Sequence, residues 1–376
     1  MKKVILIPDS FKGTMSSAEI CEIMGACIHA RWPGALTVKI PVADGGEGSV
    51  DAFLGAMGGE KVPCRVTGPR GTPCDAFYGR IGGIAVIEMA AAAGLPMMGE
   101  ELDAAGATTF GVGELMLAAA RAGAKKIIMG LGGSATNDGG CGAAAACGVR
   151  FLDEAGTAFV PTGGSLSRIR RIDASGLSPL LDGVEIVTMC DIDNPLCGPQ
   201  GAAAVFGPQK GADPAQVTLL DRGLAHLAGL VKRDLGADIL QLPGAGAAGG
   251  MGGGMVAFFG SALQMGIETV LETVGFEAAL EGTDAVFTGE GRIDGQSLRG
   301  KVVVGVARAA RKKGVPVIAV VGDIADGAEA AYAEGVSAIF SINRVAVPYS
   351  EAKKRAKSDL RLTMDNLLRF MELWKA

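Results

Sequence analysis

Apolar positions along the chain follow two alternating patterns. Val4–Pro8, Thr37–Val42, Lys125–Met129, Glu185–Met189, Asp284–Thr288, Pro316–Val321 and Ser337–Ile342 are short, largely continuous apolar runs that give way to Gly-, Pro-, Asn- or Asp-rich sequence. That texture predicts strands buried on both faces. Between them lie segments at helical spacing: one opening at Ser16, then Ser49–Met57, 110–122, 141–148, 214–235, a long stretch before Asp284, a segment from Lys301 to Lys313, and 350–373. Ser16 with Glu19 three residues on is the sequence of a capping box. From about 61 to 90 the pattern changes, because Lys61–Val66, Ala76–Ile81 and Ala85–Met89 are separated only by Gly-Pro-Arg-Gly and Gly-Gly turns. These predict antiparallel pairing. The chain is therefore expected to be α/β with two domains. Residues 1–60 plus 280–376 form a discontinuous parallel-sheet domain, and 61–279 an inserted α/β domain with a mixed or antiparallel sheet. At 376 residues the chain is too long for one ordinary core, which agrees.

Composition narrows the chemistry. Glycine supplies 59 residues without a Gly-X-Y period, while 49% of positions are hydrophobic, so the glycines belong to turns and ligand loops. A net charge of −5 with no sustained basic run excludes the electrostatic footprint of a nucleic-acid binder. The eight cysteines are scattered without a CxxC and read as small buried hydrophobes of a reducing cytoplasm. His29 and His226 lie in separate helical patterns without HxxH or HExxH spacing, against a zinc site and a Ser-His-Asp triad. Met-Lys-Lys followed by only five apolar positions is too short for a signal or membrane segment.

The strand-to-helix loops hold the candidate chemistry. Gly130–Gly140 reads GLGGSATNDGG, and its glycines, with the N–H groups at the start of the following helix, would hold an anion. No Gly-Lys-Ser/Thr closes it, so it is not a Walker A loop. Asp9, Asp44, Asp138, Asp191, Asp193, Glu290 and Asp294 each follow a strand-like run. Any single one suits a turn or an N-cap. As a set, they suit a divalent cation bridging carboxylates to phosphate oxygens, with one carboxylate left to accept a proton. Lys12, Arg292, Arg299 and Lys301 stand near helix starts, which disfavour cations, so an anionic ligand is their natural partner. A dinucleotide-binding oxidoreductase is a rival reading. Gly244–Gly249 is a literal GxGxxG, and Gly130–Ala135 fits GxGxxA with Asp153 downstream. Against it, Asp138 beside a pyrophosphate requires an intervening cation.

Five blocks in order, Pro8–Gly13 (PDSFKG), Ala43–Gly48 (ADGGEG), Gly130–Gly140, Cys190–Gly198 (CDIDNPLCG) with Gly207–Gly211 (GPQKG), and Thr288–Lys301 (TGEGRIDGQSLRGK), resemble the signature blocks of the bacterial glycerate kinase family of type 1. The resemblance implies ATP-dependent phosphorylation of D-glycerate with Mg2+, favouring 2-phosphoglycerate as product. It also implies a Rossmann-like domain and a second α/β domain meeting at an active-site cleft. By the same carry-over, Gly132, Gly133, Ser134, Thr136, Asn137, Glu290 and Lys301 take the nucleotide. Asp9, Ser10, Lys12, Arg292 and Asp294 take the substrate, with Lys12 and Arg292 also placed among the catalytic groups. Asp191 and Asp44 share base and metal work in an order left open, and Asp191 with Asp193 holds the metal. The expected protein is cytoplasmic, a monomer or homodimer, and binds neither nucleic acid nor membrane. An NAD(P)-dependent oxidoreductase and a non-catalytic phosphometabolite sensor are the alternatives.

Overall fold

The computed structural model describes residues 1–43, 45–295 and 301–373. It resolves into two compact units, one of Met1–Asp44, Gly55–Gly58 and Met265–Ala376, the other of Gly45–Leu54 and Gly59–Gln264.

The first unit is built on a five-stranded sheet in the order Val336–Ser341, Val317–Val321, Ala285–Gly289, Lys3–Pro8, Leu36–Lys39, with every neighbour parallel. Its central strands are the continuous apolar runs of the sequence: Val4 to Ile7, Val286, Phe287 and Val317 are wholly buried. Such strands need helices on their faces. One cover is the helix Ser17–Arg31, which opens with the expected reciprocal cap. The Glu19 amide donates to Ser16 Oγ at 3.2 Å, and the Ser16 amide to Glu19 Oε2 at 2.9 Å. Tyr349–Leu373 packs beside it, and Ile20, Met24, Leu360, Met364 and Leu368 share one core with Leu6 and Phe287.

The second unit carries a mixed six-stranded sheet in the order Ala262–Gln264, Glu185–Met189, Lys126–Gly130, Ile84–Glu88, Pro73–Ile81, Glu60–Thr67. The expected antiparallel stretch is present, with Glu60–Thr67 pairing along Pro73–Ile81 and that strand turning onto Ile84–Glu88. From Ile84–Glu88 onward the sheet is parallel. A separate antiparallel sheet joins Arg150–Leu152, Ala158–Phe159 and Arg171–Asp173.

The long helical stretch expected before Asp284 is instead broken into Ala247–Phe259, the strand Ala262–Gln264, Gly266–Thr273 and Phe276–Ala279. Gly260 and Gly275 cause the breaks, sitting at φ of 63° and 65°, where a helix ends and an L side chain is strained. Among the described residues no helix is long and apolar enough to cross a membrane, and all eight cysteines are free thiols.

Phe287, in the middle of the five-stranded sheet, is the anchor of its core. Phe287→Ala should lower unfolding free energy by about 3–5 kcal/mol, read from the denaturant midpoint at unchanged slope.

Candidate active site

In the second unit, Lys126–Gly130 and Glu185–Met189 run parallel with Gly130 opposite Met189. The glycine loop and the Cys190–Gly198 loop therefore leave the same sheet edge from neighbouring strands, the carboxyl-end position where α/β sheets hold ligands. Gly130 and Gly132 are glycines because another backbone runs across them. A Cβ at Gly130 would lie 2.4 Å from Gly45 O, and one at Gly132 would lie 2.4 Å from Gly46 Cα. The Gly132 amide donates to Gly45 O at 3.0 Å. Gly45 and Gly46 are thus stitched to the start of the loop. Glu88, buried at the end of the next strand, accepts from the Val50 amide at 2.7 Å and pins the segment that follows; burial raises its pKa.

Asp138 corrects the expectation of an anion at the helix start. Its carboxylate is fully buried and accepts from the Thr109 amide and hydroxyl, both at 2.8 Å, and from the amides of Gly140 at 3.1 Å and Gly142 at 3.2 Å. The Ala143 amide donates to Thr109 Oγ1 at 2.9 Å. The N-terminal donors of the Cys141–Ala146 helix are therefore already occupied by protein groups. Burial raises the Asp138 pKa, and its four donors oppose that shift by favouring the ionised form.

What is left for an anion lies one turn earlier. Gly133 is exposed at φ 74°, Ser134 stands just beneath it, and among the described residues no acceptor takes the amide of either. The neighbouring carbonyl and amide of the loop are held by Leu95 N–H to Gly133 O at 2.8 Å and Ala135 N–H to Ala93 O at 2.9 Å. Thr136 and Asn137 are wholly buried, and Thr136 Oγ1 and both polar atoms of the Asn137 amide lack a hydrogen-bond partner. A buried polar group left so costs on the order of 1–3 kcal/mol, which marks this loop as unlike a purely structural turn.

Lys210 carried no assigned role in the sequence reading, although it sits in the Gly207–Gly211 block. It is 2% exposed, and its Nζ donates to Thr136 O at 2.6 Å and Ser134 Oγ at 2.9 Å. Burial pushes the ammonium down to about 7, against an upward pull from Asp138. The one signal available was a lysine inside a turn otherwise made of Gly, Pro and Gln.

Asp191 and Asp193 are exposed on the neighbouring loop. That loop is tied by the Cys190 amide to Gln264 O at 2.9 Å, Asn194 Nδ2 to Gln200 O at 2.8 Å, and the Gly246 amide to Asn194 O at 3.0 Å. Two exposed carboxylates are a donor set that suits Mg2+, which takes one or two together with phosphate oxygens. Among the described residues no group of three or more His, Cys, Asp or Glu forms a ready-made metal cage. Asp44 and Arg299 lie outside the described residues.

The glycines of the literal GxGxxG serve packing. A Cβ at Gly246 would lie 2.3 Å from Pro195 O, and one at Gly249 would lie 2.0 Å from Thr136 O, while the Gly139 amide donates to Gly249 O at 3.0 Å. Asp153, the acid the dinucleotide reading required, instead accepts from the amides of Ala155 and Thr157 in an antiparallel turn.

In the first unit, Lys3–Pro8 and Ala285–Gly289 are parallel neighbours with Pro8 opposite Gly289, so Asp9, Ser10 and Lys12 emerge beside Glu290 and Arg292. The Asp9 amide donates to Gly289 O at 2.8 Å, and the Ser10 amide to Asp9 Oδ1 at 2.6 Å. Lys12 and Arg292 are exposed, Asp294 is half-buried, and Glu290 is buried. Lys301 is exposed at the start of the helix Val302–Arg311. Asp323, paired through its backbone with Gly291 and Arg292, accepts from Asn343 Nδ2 at 3.3 Å; the sequence reading gave neither a role.

The fold is α/β, with glycine-rich loops carrying polar and charged side chains at the carboxyl ends of its parallel strands. The glycerate kinase family model matches residues 4–372, and the chain belongs to that family and is an enzyme of the kinase class. It is 44% identical to a glycerate kinase of Bacillus subtilis over 99% of this chain and 98% of that one. It is 43% identical to the glycerate 2-kinase of Escherichia coli over 90% of each. A crystal structure reported under the provisional name glycerate kinase 2, from Salmonella typhimurium LT2, matches with a TM-score of 0.89 at 42% identity, over 100% of this chain and 99% of that one.

Replacing Asp138 by Ala would leave four buried donors without their acceptor. Asp138→Ala should cost about 3–5 kcal/mol, measured by denaturant unfolding.

Proposed function

We propose that the protein phosphorylates D-glycerate at its 2-hydroxyl with ATP, releasing ADP, in the cytoplasm. The observation that carries this reading is the Gly133–Ser134 tip, with two amides that no acceptor among the described residues takes and a hydroxyl beside them, beyond the end of a buried parallel strand in a chain of the glycerate kinase family. The Escherichia coli relative named as a 2-kinase supports the 2-position, and eight unpaired thiols suit a reducing compartment.

In this reading the Gly133 and Ser134 amides and the Ser134 hydroxyl hold nucleotide phosphate oxygens, Gly132 lets the backbone pass close at the start of that loop, and Thr136, Asn137, Glu290 and Lys301 support the site. Lys12 and Arg292 neutralise the substrate carboxylate, and Asp9, Ser10 and Asp294 orient its hydroxyls. Asp191 and Asp44 divide the work of accepting the hydroxyl proton and holding metal, Asp191 being joined in the latter by Asp193. Screening of charge on the transferring phosphoryl group is what Mg2+ supplies when bound. The 2-hydroxyl oxygen forms the new bond to the γ-phosphorus, the bond from that phosphorus to the β–γ bridging oxygen breaks, and the hydroxyl proton passes to the carboxylate base.

A coupled ADP-release assay over a panel of hydroxy acids should respond to D-glycerate only when ATP and Mg2+ are both present. Its product should be consumed by enolase without added mutase. ADP release that ignores D-glycerate would refute the assignment, and a nicotinamide absorbance change in its place would restore the oxidoreductase.

Asp191→Asn should lower kcat by about 100-fold or more while ATP affinity stays within a few-fold of wild type. A fully active variant would remove Asp191 from the reaction.

A further inference from the structure

Among the described residues Lys210 is the single lysine or arginine in the buried set, and its two bonds reach the same loop at Ser134 and Thr136. We infer that Lys210 is a positioning residue that acts on bound phosphate through Ser134, fixing the serine hydroxyl as an outward donor and setting a positive charge beneath the loop. The inference rests on the phosphate assignment of that loop.

The chemistry of the hydroxyl carries the argument. A serine hydroxyl has one hydrogen to donate and two lone pairs, whereas an ammonium can only donate. With Lys210 Nζ donating to Ser134 Oγ, the hydroxyl hydrogen must point to some other acceptor, and among the described residues none takes it. It is left for an anion seated on the neighbouring Gly133 and Ser134 amides. The second bond, to Thr136 O, fixes the chain two residues further on, so the ammonium braces the loop on both sides of Ala135.

The arm that delivers the ammonium is itself rigid. Pro208 opens the 3-10 turn Pro208–Lys210, and Gly211 closes it at φ 91°, where an added Cβ would lie 2.6 Å from Leu102 Cβ.

A purely structural brace would not need a cation. Neutral donors could satisfy one hydroxyl and one carbonyl without the cost of burying charge, whereas a charge in a low-dielectric setting attracts a phosphate strongly. Asp138 is the ionisable group whose charge reaches Lys210. With the ammonium held near 7 in the empty loop, an arriving anion should raise its proton affinity and draw a proton from solvent.

The test is calorimetric titration of wild type, K210M, S134A and the double variant with ATP and Mg2+ at pH 6.5, 7.5 and 8.5, in buffers of different ionisation enthalpy. Expected are net proton uptake by wild type near neutral pH beyond that of K210M, and ATP affinity that falls with rising pH in wild type more steeply than in K210M. K210M and S134A should each weaken ATP by about tenfold at pH 6.5. The double variant should be no weaker than the poorer single one, since both remove one hydrogen-bonded unit. The KM for glycerate should stay within about threefold in K210M, because uniform loss of binding confined to the nucleotide leaves the other substrate untouched.

K210M binding ATP like wild type, or strictly additive losses, would overturn the inference while leaving the loop assignment standing. Wild-type protein that binds no ATP would overturn both. Should K210M fail to fold, the wild-type titration decides: affinity independent of pH with no proton uptake overturns the inference, and loss of affinity with uptake supports it.

Discussion

The Gly130–Gly140 loop takes its form from four hydrogen bonds converging on one buried carboxylate. Asp138 gathers donors from Thr109, Gly140 and Gly142, which belong to two different segments, and so ties the start of Phe110–Arg121 to the start of Cys141–Ala146. A carboxylate can be kept ionised in such a place only where hydrogen bonds replace the water it has lost. The same bonds use up the helix-start amides that would otherwise face a ligand. Among the described residues the loop amides left without an acceptor include those of Gly133 and Ser134.

Glycine use in this unit follows from backbone meeting backbone. Gly45 and Gly46 cross at Gly130 and Gly132, and the turn at Ala248–Gly250 crosses at Thr136 and Asn137. Ala248 itself sits at φ 53°, as the one non-glycine at positive φ among the described residues. Three segments that are far apart in sequence thus meet backbone to backbone. At Gly130, Gly132 and Gly249 an added Cβ would strike backbone atoms, so no side chain fits where these segments touch. Gly133 differs from its neighbours: it is exposed, and the nearest atom to an added Cβ is the Ala90 Cβ at 3.3 Å.

The parts legible in the sequence were those fixed by local pattern. Val4–Pro8 and Lys125–Met129 announce buried parallel strands because they are apolar without interruption, and Ser16 with Glu19 announces a helix start because both halves of the cap lie within four residues. The hairpins of 60–88 show in their turns. Long-range identity of a partner was not legible. Asp138 looks like an acid beside a phosphate loop until Thr109, 29 residues away, is brought against it. Gly244–Gly249 matches a dinucleotide fingerprint by spacing alone, and only the nearness of Pro195 and Thr136 shows what its glycines are for. Helix boundaries after Phe259 were missed because apolar spacing runs through Gly260 and Gly275, whose positive φ is a property of the fold.

Lys210 answers an electrostatic objection that the sequence raised. A carboxylate directly behind a phosphate loop should repel the ligand unless a cation intervenes. On the proposed reading Asp138 is that carboxylate, and Lys210, contacting Ser134 and Thr136 of the same loop, would supply the cation from within the chain. The two charges differ in how firmly they are held. Asp138 accepts four donors that favour its ionised form against the upward push of burial, whereas Lys210 has two neutral acceptors and an ammonium weakened by burial. On the proposed reading, an anion seated at the loop would restore to the ammonium the stabilisation that burial takes away.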